Sequence, residues 1–77
     1  MKIEVLGTGC KKCRELEAVV KQAIAKSGKF VQFEKVEEIM KIMEYQVVST
    51  PGLVIDGKVV SVGKVLSVSE VLAFING

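Results

Sequence analysis

The sequence predicts an α/β fold of order β-α-β-α-β-β-α, a mixed four-stranded sheet flanked by three helices. Three observations predict it: short runs with apolar side chains at alternate positions, stretches in which apolar residues recur at i, i+3 and i+4, and an Asp-Gly pair between two strand-like runs. The first strand is "KIEVL", which mixes polar and β-branched residues, and "GTG" then lets the backbone turn sharply. From about Lys11 to Lys26 the residues Leu16, Val19, Val20, Ala23 and Ile24 fall on one helical face, and Gly28 supplies a left-handed stop. In "KFVQFEKV", Val31 and Phe33 alternate with Gln32 and Glu34, giving a second strand that a right-handed crossover sets parallel to the first. Glu37 to Tyr45 repeats the helical pattern, with Ile39, Ile42 and Met43 expected inward. The run "LVI", the pair Asp56-Gly57 and the run "KVVSV" read as a β-hairpin with a type I′ turn. Ser67 with Glu70 three residues on is a capping box, and the helix it opens is expected to bury Val68, Val71, Leu72 and Ile75.

Bulk properties narrow the function. Seventy-seven residues make one domain, residues 1–77, and a chain this short buries only about 60% of its unfolded surface. With 49% hydrophobic and 26% charged residues the composition is that of a folded globule. A net charge of +2, one tyrosine, no tryptophan and no basic block speak against nucleic-acid binding. No apolar run approaches the roughly 18 residues that span a bilayer, and "MKIEVLGTG" lacks the apolar region of a secretion signal, so a cytoplasmic protein without a membrane partner is expected. There is no internal repeat, low-complexity segment or linker, and the chain is expected to be a monomer. Two cysteines and no histidine do not make a secreted disulfide framework. A close pair in a reducing compartment is more often catalytic or metal-binding than structural.

The chemistry concentrates in "GTGCKKCREL", residues 7–16. Residues three apart on a helix face the same way, with Cβ atoms about 5 to 6 Å apart. A disulfide needs Cα atoms about 5.5 to 6 Å apart, so Cys10 and Cys13 can form and break one with little backbone movement. Cys10 falls at the helix N-terminus, where free N–H groups and the helix dipole favour an anion, while Cys13 lies a turn inside. Cys10 is therefore the expected nucleophile and Cys13 the resolving thiol. Lys11 and Lys12, with Arg14 beyond, bring positive charge that would lower the Cys10 pKa, and an acidic surface on a partner is the other use for them. Two other readings compete. The cysteines could be small buried hydrophobes, or the loop could hold Cu(I) or half of a zinc site. Zinc needs two further ligands, and there is no histidine and no third cysteine to supply them.

Three features together carry a resemblance over the whole chain: "CKKC" between the first strand and first helix, "YQVVSTP" ending on Thr50-Pro51 about 40 residues later, and the hairpin "LVIDGKVV". In these the chain resembles the small redox-active disulfide proteins of the thioredoxin-like superfamily, sometimes described as glutaredoxin-like. The resemblance implies a thioredoxin-like fold and a protein disulfide oxidoreductase or electron carrier with no cofactor beyond its own disulfide. It implies a cis bond before Pro51, set beside Cys10, with the Thr50 backbone free to pair with an extended substrate. It places Glu4 where thioredoxins carry a buried acid that serves the resolving cysteine. The partners implied are protein disulfides and a separate reductase of the thioredoxin reductase-like kind. Thioredoxins have an aromatic residue before the first cysteine and Gly-Pro between the two; here Gly9 and Lys11-Lys12 stand in those places. Glutaredoxins recognise glutathione through a Gly-Gly turn, and here Gly63 is followed by Lys64, so glutathione dependence is not implied. The alternative functions are a thiol redox sensor and a small copper chaperone. Such chaperones usually carry Met where Thr8 stands and end on a strand, whereas this chain is expected to end on a helix.

Overall fold

Alternation along "KIEVL" sends Ile3 and Val5 to one side of a sheet and Glu4 and Leu6 to the other, and the two sides become two cores. The computed structural model describes residues 1–47 and 49–77; Val48, part of "YQVVSTP", lies outside them. The elements are β1 (Lys2–Leu6), α1 (Lys11–Ser27), β2 (Gln32–Val36), α2 (Ile39–Glu44), β3 (Gly52–Ile55), β4 (Lys58–Val62) and α3 (Val68–Asn76). The sheet order is β2-β1-β3-β4, with β1 parallel to β2 and antiparallel to β3, and β3 antiparallel to β4.

Ile3, Val5 and Leu53 meet Leu16, Val20 and Ala23 of α1 and Val71 and Ile75 of α3 in the larger core. Val19 and Ile24 are only half-buried at its margin, as are Val68 and Leu72. The smaller core, on the other face, gathers Leu6, Val36 and Val54 under a single α2 side chain, Ile42.

The punctuation follows the local chemistry. Gly28 ends α1 at φ 68°, and Asp56 and Gly57 both take positive φ, as a type I′ turn requires. The Asp56 carboxylate accepts the Lys2 N–H at 2.8 Å, and the Asp56 N–H donates to the Lys2 carbonyl at 2.8 Å, which pins the hairpin to the start of β1. Ser67 and Glu70 close a reciprocal capping box on α3, at 3.1 and 3.0 Å.

The second helix departs from the sequence expectation. It has six residues rather than spanning Glu37 to Tyr45, and of the three side chains expected inward only Ile42 is buried. Ile39 is 61% exposed and Met43 63%, with Met40 beside them at 69%. The surface beneath is small and shared: Leu6, Val36 and Val54 are also covered by Tyr45, Val47 and Val59, so a helix of under two turns buries one residue there. Among the described residues no helix is long and apolar enough to cross a membrane.

Candidate active site

The end of β1 delivers the chain to the thiols through three residues that leave little freedom. The Gly7 N–H donates to the Val36 carbonyl at 2.9 Å, which keeps the first parallel pair together to its last residue. A β-carbon at Gly7 would collide with the Cys13 sulfur and stand 3.0 Å from the Cys13 Cβ, so a side chain here and the Cys13 thiol exclude one another. Gly9 then takes φ 90°, a conformation that needs glycine, and turns the chain into the helix.

Cys10 is the N-cap of α1. Its backbone is extended, its carbonyl accepts the Arg14 N–H at 3.0 Å, and its sulfur accepts the Cys13 N–H at 3.3 Å. The sulfur thus occupies the place of the usual capping oxygen, where free N–H groups stabilise negative charge. Cys10 is exposed and Cys13 is buried, at 2% of its surface, and both are free thiols. Hydrogen bonding from the Cys13 thiol, then from the Cys13 and Lys12 N–H groups, holds the Cys10 pKa below the ordinary thiol value. Burial, then the proton shared with Cys10, pushes the Cys13 thiol up, against a smaller opposing hydrogen bond from the Thr50 side chain. The accessible thiol is thus the one whose anion is favoured, and the buried thiol is the one whose anion is disfavoured.

The Thr50–Pro51 peptide is cis, and Pro51 is fully buried. Thr50 Cβ is 4.0 Å from the position a Gly7 β-carbon would take, on the Cys13 side of the turn, and the Pro51 carbonyl accepts the Gly63 N–H at 2.8 Å. The structure therefore sets Cys10 and the Thr50 side chain both beside Cys13, with Pro51 next to Thr50 across the cis bond.

Lys11 and Lys12 are exposed, and Lys12 reaches Cys10 through its backbone N–H. Glu4 is buried at 9% exposure on the Leu6 side of the sheet, where its carboxylate accepts the Tyr45 phenol at 3.1 and 3.3 Å. Burial first, then this carboxylate, pushes the Tyr45 pKa up. Sequence reasoning missed Gly7 and Tyr45: it treated the first as a turn residue and the second as one letter of a motif. Only the resemblance pointed to Glu4 as a buried acid, and nothing pointed to its partner. Among the described residues, no three acidic or cysteine side chains cluster as metal ligands.

Comparison with known proteins agrees with this geometry. A family model described as the thioredoxin domain matches residues 1–76. A curated protein named thioredoxin, from Methanothermobacter thermautotrophicus, is 40% identical over 58 residues, which cover 75% of this chain and 75% of that protein. On both counts the chain belongs to the thioredoxin family, and it is a thiol–disulfide oxidoreductase with a CxxC pair at Cys10 and Cys13.

Proposed function

We propose that the chain works as one domain, residues 1–77, that reduces protein disulfides with Cys10 as nucleophile and Cys13 as resolving thiol. The Cys10 thiolate attacks one sulfur of a substrate disulfide. The S–S bond breaks, a Cys10 mixed disulfide forms, and the other substrate sulfur leaves as a thiolate and takes up a proton. Cys13 then gives up its proton and attacks the Cys10 sulfur, which releases the second substrate thiol and closes the Cys10–Cys13 disulfide. Two electrons have passed to the substrate. A separate reductase, of the thioredoxin-reductase kind that the family implies, returns two electrons to the pair in a reducing, cytoplasmic setting. Thr50 and Pro51 receive the substrate backbone as an added strand beside the thiols.

One observation carries the assignment of roles: the exposed Cys10 sulfur accepts the N–H of the buried Cys13 at 3.3 Å. Limiting alkylation of the reduced protein, mapped by mass spectrometry across a pH series, tests it. Cys10 alone is expected to react, and because its pKa is lowered its rate should reach half-maximum below about 8.5, the ordinary thiol value. First modification at Cys13, or a midpoint at or above that value, would overturn the assignment.

A further inference from the structure

The first turn of α1 carries a charge pattern that the exchange chemistry does not use. Lysine at a helix N-terminus opposes the macrodipole, yet Lys11 and Lys12 stand there, Arg14 follows, and the first turn has no acidic residue. Lys2, Lys21 and Lys35 each have a carboxylate within 4.0 Å. Lys11, Lys12 and Arg14 have none among the described residues, and all three are exposed. The hydrogen bonds that lower Cys10 come from backbone N–H groups and from Cys13, so the two ammonium groups remain free to face outward.

The surroundings give this charge a direction. The Glu37 carboxylate lies 3.7 Å from the position a Gly9 β-carbon would take, and the Lys35 ammonium pairs with it at 4.0 Å. The acidic group nearest Gly9 is thus paired with a lysine, whereas the three cations that follow Cys10 in α1 have no carboxylate partner among the described residues. Lys11 and Lys12 lie between the cysteines in sequence and Arg14 directly after them, so a chain reaching Cys10 comes close to all three. Their field acts over about 10 Å at 0.1 M salt and about 3 Å at 1 M. Charge arranged in this way raises encounter rates with an oppositely charged partner by roughly 10- to 10³-fold.

We propose that Lys11, Lys12 and Arg14 form a docking collar that selects protein disulfides with acidic side chains beside the cystine. The proposal rests on the exchange reaction above and names its preferred substrates.

The test uses three cystine peptides of equal length that differ only in flanking residues, with glutamate, serine or lysine beside the disulfide. Reduced protein is mixed with each in excess, at low ionic strength and at 1 M salt. Each rate is divided by that of the same peptide with dithiothreitol, which removes the peptide's intrinsic reactivity. At low salt the glutamate peptide is expected to react about tenfold faster than the lysine peptide, the lower end of the range for steered encounter. At 1 M the difference should shrink to under about twofold. In the Lys12→Glu/Arg14→Glu variant the order should reverse, and Lys11→Gln/Lys12→Gln should abolish the preference. Equal normalised rates for the wild type at low salt overturn the collar and leave the exchange reaction standing. No reaction with any peptide, serine included, overturns the exchange reaction itself.

Discussion

Cys10→Ser is expected to stop disulfide reduction, whereas Cys13→Ser is expected to stop it one step later with substrate still attached. In the first variant the only remaining thiol is Cys13, which is buried at 2% exposure and whose pKa burial pushes up. Turnover on a protein disulfide should fall by about 10³-fold or more, the scale on which loss of a nucleophile acts. In the second, Cys10 keeps its exposed cap position and still attacks, but no thiol follows to displace the product. A one-to-one mixed disulfide should therefore accumulate, visible as a mass increase that dithiothreitol removes. The contrast between a silent variant and a trapped one separates the two roles. If Cys10→Ser retained activity, or formed the trapped adduct itself, the order of attack would be the reverse of that proposed.

Gly7→Ala is the second change with a large expected effect, and it acts without altering any group that reacts. Backbone strain is not the cause, because Gly7 is outside the left-handed region that favours glycine. The added methyl meets the Cys13 sulfur and stands 3.0 Å from its β-carbon, with Leu6 buried just before it and its N–H tied to Val36. Neither side has room to give. Forcing one carbon into a packed site costs roughly 1 to 3 kcal/mol. In a domain of this length each 1 kcal/mol lowers Tm by about 4 to 8 °C. The same displacement moves the Cys13 sulfur relative to Cys10, so closure of the intramolecular disulfide should slow along with the loss of stability. Thermal unfolding together with the rate of Cys10–Cys13 oxidation checks both. A Tm within about 2 °C of wild type and an unchanged oxidation rate would show that the site absorbs the methyl.

How far the sequence could be read depended on how local the cause was. The order of elements was legible because each carries its own period and stop: Gly28 after α1, Asp56-Gly57 between β3 and β4, and Ser67 with Glu70 before α3. The thiol pair was legible for the same reason, since its spacing and its helix start lie within four residues. α2 was misread because "IMKIM" is apolar on more than one side, and periodicity does not say how much surface the rest of the fold will offer. The small floor of Leu6, Val36 and Val54, shared with Tyr45, Val47 and Val59, takes Ile42 while Ile39 and Met43 stay outside. The Glu4–Tyr45 bond joins residues 41 apart, and the Gly7–Cys13 contact depends on how the helix leans over the end of β1. Neither leaves a periodic trace.

The unequal covering of the two sheet faces bears on how the molecule breathes. On one face α1 and α3 close a core that includes Ile3, Val5 and Leu53, so amides of β1 and β3 should exchange with solvent only when the whole chain unfolds. On the other face α2 buries only Ile42, with Tyr45 just past its end tied to Glu4, and a segment with so few buried apolar contacts belongs to the less protected end of the range. Amides of α2 are therefore expected to exchange with solvent before those of the strands beside the thiols, and hydrogen exchange read residue by residue checks the order.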